Sequence, residues 1–386
     1  MRKRIPSILR FVALFAFFLA LYALTAQRGL GWGDSGEFQH WILNGNTAIF
    51  SQPGFSNLHP LYLVIARAVC ATPFQVTLLS SFSGALAVAG FYLCSRNAAM
   101  AILFGLAHCV WWMSCVAEVY TMSLVFIAAE TFCLMRFCEK RSGAWLVALA
   151  FFNGLHLELH NIAMLAWPVY AAVALAMRTK IRTIITAAAA FAFGACYWLY
   201  ALVTRGIPDV LYGAYGTQAM GLLPNNWTLA IFNWALGGLS LAIGFAIFCW
   251  SARSRRDSEP WHTSTSWSIA ALLVIHFLFW VRYFIISQFT FVLPTVFFLY
   301  LLASRRRFGV RAAVLLAAAQ IALPIAAYFS LLQIPVPSWY WSHPHRNDAA
   351  YFILPWKFHD DSADRCAAEQ GGEWSGYAKE KDKEAQ

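Results

Sequence analysis

Cut at its polar and proline-bearing breaks, the chain falls into eleven apolar segments, each near the roughly 20 residues that cross a bilayer as a helix. They run over 7–27, 76–95, 98–116, 118–137, 144–161, 162–178, 183–203, 228–250, 267–286, 289–303 and 311–331. The pattern predicts an all-α polytopic membrane protein of about 11 transmembrane helices. The first segment, "FVALFAFFLALYALTA" after "MRKR", has the form of a secretory signal peptide. Leu24-Thr25-Ala26 is a poor small-x-small cleavage site, however, so we read a retained signal anchor. Two stretches stand apart from the spans. Residues 28–75 form a long first loop whose "PLYLVIARAVCA" is apolar, too short to span and interrupted by Arg67, and interfacial helices are expected there. Residues 332–386 form a short tail ending in "AKEKDKEAQ", whose last residues have the composition of disorder. The expected organisation is a polytopic domain over 1–331 and an extracytoplasmic tail over 332–386. No internal repeat stands out.

Composition agrees: 60% of the 386 residues are hydrophobic and only 12% charged, which excludes an ordinary soluble enzyme. The net charge of +10 is explained without nucleic acid by where the cations fall. With a cytoplasmic N-terminus, the inner ends carry Arg2, Lys3, Arg4, Arg10, Arg96, Arg136, Lys140, Arg141, Arg178, Lys180 and Arg182. Arg253, Arg255, Arg256, Arg305, Arg306, Arg307 and Arg311 complete that set, 18 of the 28 basic residues. Outer loops before the tail hold only Arg28, Arg67, Arg205 and Arg282. This bias satisfies the positive-inside rule with an odd helix count. It places Asp34, Glu37, His59, Glu118, His160 and Arg282 at the outer ends, where one external cavity would hold them all. Eight of the nine cysteines lie in or beside apolar segments, without zinc-site spacing, and read as small membrane hydrophobes. Trp111, Trp112, Trp198, Trp227, Trp280, Trp339 and Trp341 lie near expected helix ends and read as interfacial anchors.

The chemistry begins at "GWGDSGEFQHW", residues 31–41. Asp34 and Glu37 share a face on a helical turn, and Gly33 and Gly36 allow tight bending or close approach to a ligand. The bland reading is a helix N-cap completed as a capping box by Glu37; it does not exclude a catalytic role. "GWGDSGEFQHWI" followed by "SQPGFSNLHPLYLVIARAV" resembles the first outer loop of protein O-mannosyltransferase-like membrane proteins, a family of largely unknown function in the GT-C superfamily of glycosyltransferases. The resemblance rests on a D-[SG]-G-E pattern and a later His-Pro and Pro-Leu-Tyr stretch. "AEVYTMSLVFIAAETFCLMRF" at 117, "GLHLELHNIAMLAWP" at 154 and "AAYFILPWKFHDD" at 349 agree in order. In "PGFSNLHPLY" this chain departs from the family's more compact Pro-rich run.

The resemblance implies a GT-C-like fold and an inverting enzyme that takes a sugar from a polyprenyl-phosphate donor and passes it to an acceptor hydroxyl or amide. The acceptor would be protein, glycan or lipid, and the setting the outer face of a bacterial inner membrane. The short tail implies a partner protein to present the acceptor. Independently of the family, a hydroxyl nucleophile gains about 10² to 10⁴ in rate from a positioned general base. Asp34 is the candidate base; Glu37 orients it or the acceptor. If the enzyme is metal-dependent, the two would bind Mg²⁺ or Mn²⁺ through oxygen ligands. The departing lipid phosphate needs donors or cations at the membrane face, and Arg282 with Tyr283 stands at such a place; snorkelling to headgroups is the alternative for Arg282. His59 is a candidate donor or acceptor contact, or a turn residue before Pro60. Glu118 is a substrate contact or an acid complementing a helix dipole. His156 and His160 sit four apart, but Glu158 falls on the opposite face and no HExxH arrangement exists, so His160 and Asn161 are read as pocket residues. Glu130, inside an apolar helix, has no assigned role. Two rival classes stay open: a flippase for a lipid-linked sugar, which predicts charges strung along a membrane path, and a noncatalytic scaffold of the same fold.

Overall fold

The computed structural model describes residues 6–29, 31, 34–43, 59–210, 227–253, 263–284, 288–305, 310–331 and 353–354. All regular elements among them are helical. In chain order they are α1 (Ser7–Thr25), α2 (Asp34–Leu43), α3 (Pro60–Val69), α4 (Pro73–Ser95), α5 (Ala98–Gly105), α6 (His108–Met113), α7 (Tyr120–Lys140) and α8 (Gly143–Leu159). A 3-10 turn, Asn161–Ala166, leads into α9 (Trp167–Ala176), followed by α10 (Ile181–Gly194), α11 (Cys196–Arg205) and α12 (Ile207–Val210). After these come α13 (Trp227–Arg253), α14 (Thr263–Arg282), a 3-10 turn at Gln288–Val292, α15 (Leu293–Ala303) and α16 (Val310–Leu331).

Each of the eleven apolar segments is filled by helix, but not each by one long helix. Among the described residues six helices are long and apolar enough to cross a membrane: α1, α4, α7, α13, α14 and α16, the last three over Ala230–Cys249, Thr263–Arg282 and Val310–Ser330. The pair α10 and α11 adds a seventh if its 79° bend is counted within one span. Shorter helices fill the other four segments, against the expectation of about 11 full spans. The reasons are local. In 98–116 the helix stops at Gly105, whose carbonyl accepts from the Tyr22 hydroxyl at 2.7 Å. The Phe18 ring occupies the space a side chain at Gly105 would need. In 144–178 the helix ends because His160 is extended, with φ −163° and ψ 133°, and its ring Nδ1 caps the next turn by accepting from the Ile162 N–H at 3.0 Å.

Capping explains the other boundaries. Thr72 and Asn97 accept at the first turns of α4 and α5, from the N–H groups of Gln75 at 3.3 Å and Met100 at 3.2 Å. At the other end of the long helices, Arg96 follows α4 and Arg141 follows α7, both left-handed, with φ 53° and 52°. A cation there complements the negative end of the helix dipole. The bundle core is aromatic where α4, α5 and α15 meet: Phe91 stacks on Phe104 at 4.6 Å, and both meet the Phe297 ring edge-on. Helices α8 and α10 cross at Gly154 and Gly194, where a Cβ on Gly154 would stand 2.4 Å from the Phe191 carbonyl oxygen. Small residues permit such close crossings in membrane bundles.

Two features depart from expectation. Ile353 and Leu354, from the segment expected to be a separate tail, are buried in this core, and the Ile353 carbonyl pairs with His108 Nε2 at 3.1 Å. Trp111, Trp112, Trp198 and Trp280 are buried inside the protein rather than placed at its periphery; Trp111 Nε1 donates to Thr25 Oγ1 at 2.9 Å. Trp227 is exposed, as an interfacial anchor requires. Trp339 and Trp341 lie outside the described residues, as do most of the tail and the loop stretch 51–58.

The helix directions give the bundle two unlike ends. At one, Asn97 Nδ2 donates to the Ser304 carbonyl at 3.4 Å and Arg305 reaches Ser266 at 3.0 Å; Arg96, at the end of α4, adjoins Asn97 there. At the other, the Gln27 N–H donates to the Cys115 carbonyl at 2.9 Å, and the motifs of the first loop gather.

Candidate functional site

The acidic motif opens α2, whose first residue is Asp34 and fourth is Glu37, so the helical turn inferred from their spacing is present. Their side chains are outside the described set. What fixes the turn in place is described. Gln39, fully buried, accepts from the Gly31 N–H at 2.7 Å and donates from Nε2 to the carbonyls of Gly29 (3.2 Å) and Pro73 (3.1 Å). One amide thereby ties both sides of the acidic turn to the start of α4. Ser35, between the two acids in sequence, is 2% exposed and donates from Oγ to Glu118 Oε1 at 3.1 Å.

Glu118 is therefore a partner of the motif rather than a distant helix-start acid. It is 7% exposed, and its backbone is pinned from both sides by Ser80: the Glu118 N–H donates to Ser80 Oγ at 3.0 Å, and the Ser80 hydroxyl donates to the Glu118 carbonyl at 2.9 Å. Tyr62, the tyrosine of "PLY", is fully buried in α3 beside it. Burial, and then the nearby Glu118 carboxylate, push the Tyr62 phenol well above its usual range.

A chain of rings continues from there. Phe38 of α2 meets Tyr62 and His59, each at 5.4 Å, and the His59 ring lies 5.0 Å from that of His160. His160 meets Tyr120 at 5.5 Å and Phe291 at 5.7 Å, and Phe291 meets Tyr283 at 5.0 Å. His59 is half-buried and sits in the left-handed region, φ 54° and ψ 46°, a conformation that costs a non-glycine residue about 1 kcal/mol or more. The bond between its Nδ1 and the Leu159 carbonyl, 2.6 Å, holds it there. Burial pulls its imidazole down to about 4, so the ring is neutral at pH 7 and serves as a hydrogen-bonding group, not a cation.

Thus Ser35 of the acidic turn, His59, Glu118, His160 and Tyr283 belong to one end of the bundle and one connected set of contacts. Two predicted residues are placed differently. Asn161 is engaged by the protein: Oδ1 accepts from Trp198 Nε1 at 3.2 Å, and Nδ2 donates to the Val210 carbonyl at 3.2 Å. Arg282 ends α14 exposed, one residue from the buried Tyr283. Arg67 donates from Nη2 to the Trp41 carbonyl at 3.0 Å, near the C-terminus of α2. Glu158 faces away from His156, as its spacing implied; its Oε1 accepts from the Trp198 N–H at 2.9 Å, at the first turn of α11 after the bend. Among the described residues no group of three His, Cys, Asp or Glu is arranged to hold a metal ion. Sequence reasoning missed Ser35, Gln39 and Tyr62 as site supports. The available signal was the Ser35/Gln39 pair, four apart and both polar on a helix whose Phe38 and Ile42 turn to the core.

A polytopic helical membrane protein, with its acid-bearing first loop folded onto one end of the bundle, is the class these features define. The comparisons agree. Residues 94–184, from the end of α4 into α10, match the family model of the protein O-mannosyl-transferase TMEM260 N-terminal domain. The fold is similar to a crystal structure of ArnT from Cupriavidus metallidurans bound to undecaprenyl phosphate, with a TM-score of 0.61 over 94% of this chain and 72% of that one, at 14% identity. No curated protein matches the sequence.

Proposed function

We propose that this protein is an inverting glycosyltransferase that moves a sugar from a polyprenyl-phosphate donor to an acceptor hydroxyl or amide at the extracytoplasmic face of a bacterial inner membrane. The observation that carries the reading is the convergence of four separate sequence stretches on one end of the bundle: the acidic turn at α2, His59 and Tyr62 at α3, Glu118 before α7 and His160 after α8. The ArnT-like fold supports a lipid-phosphate donor, since that protein was crystallised with undecaprenyl phosphate.

In the proposed reaction the acceptor O–H gives its proton to the Asp34 carboxylate as its oxygen attacks the anomeric carbon. The bond from that carbon to the phosphate oxygen breaks, and the lipid phosphate leaves carrying the electron pair. Attack and departure on opposite faces invert the centre. Glu37 orients Asp34 or the acceptor, and Glu118, through Ser35, holds the acidic turn. Countercharge for the leaving phosphate falls to Arg282, because His59 is held neutral and the Arg67 guanidinium is bonded to a helix carbonyl. Asp34 and Glu37 are also the oxygen donors offered to Mg²⁺ or Mn²⁺. In the proposed reaction a partner protein presents the acceptor.

The test is release of lipid phosphate by purified protein from a panel of polyprenyl-phosphate sugars, wild type against Asp34→Asn. Loss of release by two or more orders of magnitude is expected. Unchanged release in the variant removes Asp34 as base, and movement of the intact donor between leaflets without release makes the protein a flippase.

A further inference from the structure

A buried polar cluster in the middle of the bundle is one the proposed chemistry does not use. Glu130, in α7 and 2% exposed, accepts three bonds at its carboxylate: from His156 Nδ1 at 2.7 Å, from the Tyr170 hydroxyl at 2.7 Å and from Asn153 Nδ2 at 3.0 Å. The other ring nitrogen, His156 Nε2, is bonded to Ser123 Oγ at 2.5 Å. Asn153 accepts from Trp167 Nε1 at 2.8 Å and donates to the Ala163 carbonyl at 3.2 Å. The cluster thus fastens α7 to α8 and to the turn leading into α9. Ionisable groups at membrane depth are expensive and are retained for a purpose.

The order serine, histidine, glutamate is that of a hydrolytic triad, but nothing reaches this one. Ser123 is 4% exposed, His156 2%, and the Phe126 ring stacks on the imidazole at 6.0 Å. What the cluster does reach is the end where the site lies. Ser123 is one turn along α7 from Tyr120. His156 is one turn from His160, whose N–H donates to the His156 carbonyl at 2.7 Å. The Tyr120 and His160 rings then meet each other. A bond between Ser123 and His156 therefore fixes how α7 is rotated and raised against α8, which sets where those two rings point.

We infer that Ser123, His156 and Glu130 form the positioning element of the site, aiming Tyr120 and His160 from one helical turn below. This rests on the proposed function for its activity readout only. Turnover is measured as undecaprenyl phosphate released from undecaprenyl-phosphate mannose, and ring geometry as the imidazole ¹⁵N signals of His160 and His59 in histidine-labelled protein. Glu130→Gln keeps an oxygen acceptor for Tyr170 and Asn153 but sets an amide N–H against His156 Nδ1, so a shift of the His160 signals and a turnover loss smaller than that of His156→Phe are expected. His156→Phe and the milder Ser123→Ala should each lower turnover about tenfold or more in folded protein and shift the His160 signals. In a His160→Ala background the same changes should cost clearly less, because one of the two aimed rings is gone. Equal costs in both backgrounds, unmoved His160 signals in Ser123→Ala, or labelling of Ser123 by a fluorophosphonate would each overturn the inference. If the wild type releases no lipid phosphate from any donor, the proposed function fails while the histidine spectra still decide the positioning role.

Discussion

Gly154→Ala is the most quantitative probe of how the scaffold governs the site. A Cβ at 154 would lie 2.4 Å from the Phe191 carbonyl oxygen, 2.9 Å from the Ala195 nitrogen and 3.0 Å from the Gly194 Cα. All three are backbone atoms, so no rotamer change relieves the clash and α8 must back away from α10. To restore ordinary contact at 3.4 Å, the crossing must open by about 1 Å. Overpacking of this kind costs about 1–3 kcal/mol, and the better helix propensity of alanine returns up to about 1 kcal/mol. A net loss of roughly 1–2 kcal/mol is expected. Gly194→Ala meets the Phe151 oxygen at 2.5 Å from the other side and should cost about as much. Because either methyl opens the same crossing, the double variant should lose clearly less than the sum. Unfolding in nanodiscs followed by tryptophan fluorescence measures this. Wild-type stability in Gly154→Ala, or full additivity in the double variant, refutes the close crossing. Since α8 carries His156 and leads directly into His160, the same opening should lower the proposed turnover.

Three further outcomes are expected. Ser35→Ala removes a hydrogen bond to a buried carboxylate, worth about 1.5–3 kcal/mol; a double-mutant cycle with Glu118→Gln, read by unfolding, should be non-additive, and additivity rejects the contact. His59, lowered to about 4 in the fold from an ordinary 6.5, binds its proton more readily when unfolded. Its contribution is therefore present above pH 6.5 and lost as pH falls toward 4, at most about 3 kcal/mol and less after solvent screening of a half-buried ring. His59→Gln should flatten that part of the stability profile, and an unchanged profile contradicts the assignment. Ile353→Asp places a charge in the core beside His108 and should cost roughly 3 kcal/mol or more, with Ile353→Val costing about 1 kcal/mol; equal stabilities of wild type and Ile353→Asp would deny that the segment docks.

What the sequence carried best was periodic or cumulative. Apolar length placed a helix in every segment, and the basic residues at 96, 141 and 178 fall just past helix ends. It failed where one side chain ends a helix. Nothing in "GLAHCV" announces that Tyr22, 83 residues away, will hold the Gly105 carbonyl and split a segment otherwise long enough to span. The acid turn was legible because Asp34, Gly36 and Glu37 are close in sequence. Glu118 as its partner was not, since the Ser35 bond that links them closes 83 residues of chain. Glu130 looked unaccountable because its partners come from two other helices, and no local pattern joins them.

The pairing of His108 with Ile353 spans 245 positions. During synthesis the first ten helices can be inserted and packed long before that partner exists. The place beside His108 of α6 is then filled only when a segment beyond α16 emerges. Assembly is thereby completed by a late segment: a product released after residue 331 would hold every described long helix and still lack the residue that pairs with His108.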